Sequence, residues 1–230
     1  MIHYHGTPIT PRTELYKMAG KSFCVSFADA RDGDWCLQHG QSVMWDSGAF
    51  TAFTRGKEVD WAKFYAWLEP RLGHPHWAVV PDVIDGTVEQ QRDLVAQWPF
   101  QTALGTPVWH MALPIEYLLE LTDKWPRVCF GSSGRYWQVG SEEWSRRADA
   151  AFNALAKNGT LPWIHMLRGL ALSGDRWPFA SADSVNVARN FKDSNTCPER
   201  MARRIDAVQC PITWQPPKPS TQRSMFDAVA

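Results

Sequence analysis

Val43-Met44-Trp45-Asp46-Ser47-Gly48-Ala49-Phe50 is an apolar run that stops abruptly on a carboxylate and a glycine turn. Strands of a parallel sheet read as short, nearly continuous apolar runs, because both faces are covered. The pattern recurs along the chain. Val79-Val80-Pro81 runs into Asp82, Val108-Trp109 into His110, and Val128-Cys129-Phe130 into Gly131-Ser132-Ser133-Gly134, while Asp183 precedes Ser184-Val185-Asn186. Strands are expected at 23–27, 42–45, 77–83, 107–111, 128–131 and 163–167.

Between these runs lie segments of helical period. In Asp60 to Leu68 the apolar Trp61, Phe64, Tyr65 and Leu68 share a face, with Asp60 as N-cap. Thr87 to Trp98 opens on a threonine with a glutamate in the first turn, Pro114 to Trp125 has proline at its start, and Ser141 to Lys157 begins Ser-Glu-Glu-Trp and stops before Gly159. Pro198 to Val208 sets Met201, Ile205 and Val208 opposite Arg200, Arg203 and Arg204. Strands alternating with helices specify an α/β fold, and the expectation is a compact (β/α)8 TIM-like barrel. A single catalytic domain is expected over 1–211, followed by a Pro-rich, flexible and disordered tail over 212–230 that starts near Trp214-Gln215-Pro216-Pro217-Lys218-Pro219.

Bulk composition narrows the function classes. Lys plus Arg and Asp plus Glu both number 24, so nucleic-acid contact has to come from a local patch. The five cysteines form no Cys-x-x-Cys pair, which argues against a disulfide framework or a cysteine-rich zinc site. No leader-like start and no run of 18 apolar residues is present, so a cytoplasmic protein with no membrane contact is expected. His3-Tyr4-His5 and His74-Pro75-His76 place paired imidazoles along extended chain, but spacing specifies no carboxylate partner, and neither a metal nor a cofactor is expected. His165 is expected to face the barrel interior or to pack with a hydrogen-bond partner. Thirteen tryptophans serve a core or a stacking pocket equally well.

Active sites of β/α barrels are built at the C-terminal ends of the strands. Three carboxylates, Asp46, Asp82 and Asp183, and a glycine-serine loop on one rim suit glycosyl transfer, which needs a nucleophile, an acid/base and a recessed pocket. Phe50, Trp109 and Tyr136 are candidate stacking platforms.

These segments resemble the tRNA-guanine transglycosylases and their DNA-acting phage relatives that handle 7-deazaguanine. Asp46-Ser47-Gly48-Ala49-Phe50 is similar to the family's Asp-Ser-Gly-Gly-Phe, and Asp183 through Arg189-Asn190 to the segment that opens with its nucleophilic aspartate. The resemblance implies Asp183 as nucleophile and Asp46 as acid/base, a role Asp82 could share. It further implies base binding by Ser47, Phe50, Asp82, His110, Gly131, Ser132 and Ser133. His110 and the serine-bearing loop depart from the family's glutamine and glycine-rich loop. Arg189, Lys192, Arg200, Arg203 and Arg204 are expected on the nucleic-acid backbone. Cys197 and Cys210 lack nearby ligands at zinc spacing, so DNA is expected rather than tRNA.

The implied reaction is exchange of guanine in DNA for a free 7-deazaguanine base. The alternatives are a DNA glycosylase removing a modified or damaged base in repair or phage defence, an inactive barrel serving as an adaptor, and a glycosidase acting on sugars. Gln222 to Phe226 resembles peptides that dock bacterial sliding clamps.

Overall fold

The computed structural model describes residues 1–159, 161–193 and 195–217. They form one α/β domain around a parallel sheet. In chain order its elements are β1 (Ile2–Gly6), α1 (Arg12–Tyr16), β2 (Ser22–Ser26), α2 (Gly33–His39), β3 (Ser42–Asp46), α3 (Ala49–Thr54), α4 (Trp61–Leu68) and β4 (Trp77–Val79). There follow α5 (Val88–Ala96), β5 (Gly105–Thr106), β6 (Val108–His110), α6 (Ile115–Lys124), β7 (Arg127–Gly131), α7 (Glu142–Lys157), β8 (Trp163–Met166), β9 (Ser181–Ser184), α8 (Asn186–Asn190) and α9 (Pro198–Asp206).

The sheet order is β5-β4-β3-β2-β1-β9-β8-β7-β6, a nearly closed barrel of nine strand segments. The expected count of eight is therefore corrected, and the physical reason is Pro107. It stands between β5 and β6, the two ends of the order, and has no N–H to carry a ladder through. Hydrogen bonds on either side of it run in opposite directions. Val80 N–H donates to Thr106 O at 3.0 Å and Cys129 N–H donates to Pro107 O at 2.8 Å, so one short stretch ties β4 to β7.

Alternation sorts the strands into two cores. Tyr4, Met44, Trp77, Val79, Val108 and Cys129 pack together inside the barrel. Phe23, Val25, Val43, Trp45, Val128, Phe130, Ile164 and Met166 belong to the larger core shared with the helices. The interior is filled through the middle of the strands, so a cavity opens only where they end.

The helical start signals act as expected. Asp60 accepts from Lys63 N, Ser141 accepts from Trp144 N, and Gly159 follows α7 at φ +83°. At α5 the capping box closes between Thr87 and Gln90, so the partner is this glutamine and not the expected glutamate. Residues 212–217 of the expected tail lie among the described residues. Trp214 stacks on Phe152 of α7 with ring centroids 5.4 Å apart and donates to Asn153 Oδ1 at 2.8 Å, which anchors the start of the expected tail. Gln222 to Phe226 lies outside the described residues. Among the described residues no helix is long and apolar enough to cross a membrane.

Candidate active site

A cavity of about 320 Å³ opens at the C-terminal ends of β3, β4, β6, β7 and β8. Its walls include Asp46, Ser47, Phe50, Asp82, His110, Gly131, Ser132 and Ser133, all of them read from the sequence as site residues. They come from turns more than eighty residues apart because parallel strands deliver all their C-terminal ends to one rim.

Asp46 closes β3 and turns the chain into α3. Gly48 N–H donates to Asp46 Oδ2 at 3.1 Å, and Gly48 itself lies at φ +78°, where a Cβ would stand 3.1 Å from Ala28 N. Glycine is needed there for both reasons. Loss of hydration raises the Asp46 carboxyl from its ordinary 3.8 to about 6, assisted by the charges of Asp183 and Asp82 and opposed by hydrogen bonds from Ser26 and Gly48. Ser47 Oγ accepts from Ala49 N at 3.3 Å, which fixes the first turn of α3.

Opposite lies a buried pair. His110 Nε2 stands 2.9 Å from Asp82 Oδ2, with both side chains at the cavity wall. Gly131 makes room for the imidazole, since a Cβ there would meet Val108 Cγ1 at 2.9 Å and His110 Nδ1 at 3.2 Å. The serines beyond it are held by the scaffold. Ser132 Oγ accepts from Trp144 Nε1 at 3.0 Å, and Ser133 Oγ accepts from Ala112 N at 3.1 Å.

Asp183, at the inward face of β9, is not itself a wall residue. It reaches the cavity through Arg168, whose N–H donates to Asp183 Oδ1 at 2.8 Å and whose side chain lines the wall. His165 Nε2 stands 3.2 Å from the same oxygen. On its other side His165 Nδ1 lies 2.8 Å from Ser181 Oγ, which also accepts from Trp163 Nε1 at 2.9 Å. With Asp183 ionised the polarity of this chain is set: His165 donates from Nε2 and accepts at Nδ1 from the Ser181 hydroxyl. Among the described residues no hydrogen bond reaches Asp183 Oδ2.

His165 thus faces the interior, as read from the sequence, but its bond to Asp183 and the whole role of Arg168 went unread. Arg168 has φ +59°, its guanidinium lies 4.5 Å above the Phe50 ring centroid, and its Nη2 donates to Ser132 O at 3.4 Å. One residue therefore touches Asp183, the glycine-serine loop and an aromatic wall. Its sequence signal is its place just past the apolar run expected as a strand at 163–167.

Beneath the carboxylates lie Cys24 and Cys129. Burial, and then the charges of Asp183 and its neighbours, push both thiols well above their ordinary range, which keeps them neutral.

The expectations for two stacking platforms are corrected. Trp109 is no platform: it is buried against Phe130 in the outer core and donates to Pro114 O at 3.0 Å. Tyr136 packs under the guanidinia of Arg135 and Arg147 and is not a wall residue. Arg189, Lys192, Arg200, Arg203 and Arg204 are exposed on α8, α9 and the segment between, and none lines the cavity. Arg203 is paired with Glu199 at 2.5 Å. His3 and His5 do meet a carboxylate, Asp206 at the end of α9, with His5 Nε2 at 3.0 Å and His3 Nδ1 at 3.8 Å. His76 Nδ1 accepts from Val43 N at 3.0 Å. No cluster of His, Cys, Asp and Glu among the described residues has the geometry to hold a metal ion.

Compared with protein-family models and with curated proteins, the chain matches none.

Proposed function

We propose that this barrel breaks the glycosidic bond of a nucleobase in DNA, with Asp183 as nucleophile and Asp46 as acid/base. The observation that carries the reading is a cavity walled by Asp46 and Asp82, with Asp183 behind it and tied to the wall through the Arg168 N–H. Burial and the neighbouring charges raise the Asp46 carboxyl, as an acid requires, and among the described residues Asp183 Oδ2 accepts no hydrogen bond, as a nucleophile requires. Asp183, with Oδ1 tethered by a backbone N–H and an imidazole, keeps Oδ2 free to attack the anomeric carbon. As that bond forms, the bond to the base breaks and its electrons leave with the base. Asp46, with a pKa near 6, supplies the proton the departing base takes up. General acid catalysis of this kind contributes about 10²- to 10⁴-fold.

The covalent sugar ester is then opened from the opposite face, with net retention. Attack by a second base, a 7-deazaguanine, gives exchange, the reaction implied by the resemblance to the transglycosylases. Attack by water gives a DNA glycosylase, and the Asp82–His110 pair is the observation that favours it. An imidazole oriented by a carboxylate takes a proton from water, which a glutamine in its place cannot do. DNA is the polymer of choice because the cysteines show no zinc-ligand spacing of the kind the tRNA-acting members carry.

The test is incubation with unmodified and base-modified DNA, scoring abasic sites against uptake of labelled 7-deazaguanine. Uptake without abasic sites supports exchange, and abasic sites without uptake support hydrolysis. Asp183→Asn abolishes either. If Asp183→Asn keeps full activity, or if no DNA is altered, the reading fails.

A further inference from the structure

The cavity mouth carries aromatic surface that a reaction on one base does not use. Phe50, Phe53 and Trp137 all line it and are 47%, 51% and 68% exposed, in a chain whose other large apolar side chains are mostly buried. Phe50 and Phe53 project from α3, one helical turn apart, and Trp137 stands across the cavity beyond the glycine-serine loop. Exposed rings gathered at one opening mark a binding surface. Cations accompany them: Arg168 lies over Phe50, and Arg135 adjoins Gly134 of the cavity wall.

We infer that the mouth binds an unpaired strand of DNA, with Phe53 and Trp137 stacking the bases that flank the one held in the cavity. The inference rests on the reading of the cavity as a nucleobase site. Duplex DNA keeps its base faces covered by its own stacking, so these rings find nothing to stack on until bases are unpaired. A single strand offers a face at every base, and aromatic stacking accepts all four. The inner walls bear Asp46 and Asp82, which repel phosphates, so the strand's backbone stays at the mouth, where Arg168 lies over Phe50 and Arg135 adjoins Gly134.

The test measures binding apart from chemistry. Fluorescence anisotropy of the full chain is read with one labelled mixed-sequence oligonucleotide as a DNA single strand, as a blunt duplex and as the equivalent RNA strand. The DNA strand is expected to bind at least about tenfold more tightly than the duplex and to quench part of the tryptophan emission, a part that Trp137→Ala no longer shows. Phe53→Ala and Trp137→Ala each weaken strand binding about 5- to 150-fold, the loss of one base stack, and leave duplex binding unchanged. Both side chains are exposed, so the thermal midpoint stays put. Phe53→Leu and Trp137→Leu keep apolar bulk without the ring and show the same loss.

Duplex binding as tight as strand binding, preference for the RNA strand, or wild-type strand binding by the double alanine variant each overturns the inference. Ring-dependent strand binding by a protein that alters no base leaves the inference standing and removes the reaction. Base removal that is equal on strand and duplex and indifferent to both rings does the opposite.

Discussion

Asp46 sits where burial and two neighbouring carboxylates raise its proton affinity to a pKa of about 6, while Asp183 is tethered through one oxygen by Arg168 and His165. The difference lies in what surrounds each group. Asp46 has one turn amide and Ser26 for company, whereas Asp183 has a backbone donor and the end of a Trp163-Ser181-His165 chain. If Asp46 donates the proton, kcat/KM is flat below pH 6 and falls about tenfold per pH unit above it, as the acid form is depleted. Asp46→Asn keeps the acceptor for Gly48 N–H but has no proton to give. Its rate is expected to be about 10²- to 10⁴-fold lower at pH 6 and to lose that limb of the profile. A pH–rate profile of wild type and variant decides; an unchanged limb in the variant assigns the titration to another group and leaves Asp46 only a base-binding role.

At the scale of elements, the site depends on how closely neighbouring strand ends approach. The end of β7 passes the imidazole from β6 with no space for a methyl group, as the 2.9 Å and 3.2 Å approaches at Gly131 show. Gly131→Ala is expected to destabilise the fold by about 1–3 kcal/mol through overpacking and to displace His110 from Asp82. Urea denaturation reads the first effect. Base binding several-fold weaker than the fold change accounts for reads the second, and unaltered binding would show that the pair is not part of the base site. Such contacts also explain what the sequence revealed and what it hid. Helices α4, α5 and α7 announced themselves because caps and period are local signals, written within a few residues. Strand β9, Ser181-Ala182-Asp183-Ser184, has no apolar run, since its inward face carries the site. Strand β1 hides likewise: His3 and His5 are outward-facing, and their polar partners, Asp206 for both and Ser173 for His3, lie far along the chain. The rim residues Asp46, Asp82 and His110 were legible because an apolar run stops at each. Arg168 and the bond of His165 to Asp183 were not, because both depend on a partner from another strand that nothing local marks.

At the scale of the whole molecule, one polar cluster joins β1 to α9, and that cluster opposes the active site in its response to pH. Asp206 of α9 accepts from Lys21 at 2.7 Å and stands 3.0 Å from His5, fastening this helix to β1 and to the start of β2. Burial lowers the His3 imidazole there from 6.5 to about 4, against the pull of Asp206. The unfolded chain takes that proton at 6.5 and the fold refuses it until about 4, so stability is lost as pH falls across this interval. Asp46 works the other way. The fold takes its proton near 6 and the unfolded chain only near 3.8, so stability is gained as pH falls across that range. At about 1.4 kcal/mol per pKa unit both effects are on the order of 3 kcal/mol. In the wild type, acidification from pH 6.5 towards 4 therefore draws on opposed titrations, a gain at Asp46 against a loss at His3 to which His76, also lowered by burial, adds. Asp46→Asn removes the gain and exposes a steep loss on acidification, together with a higher stability at pH 7 from relief of the buried charge. His3→Gln removes its part of the loss and leaves stability rising as pH falls. Asp206, which desolvation would raise but which hydrogen bonds from His5 and Lys21 hold below 3.8, adds its own loss only under that pH. Urea midpoints of the three proteins from pH 7 to pH 4 test the balance. Parallel curves would show that the two groups do not govern the fold's acid response, and divergence with the opposite signs would reverse the assignment of which end of the molecule strains against its protons.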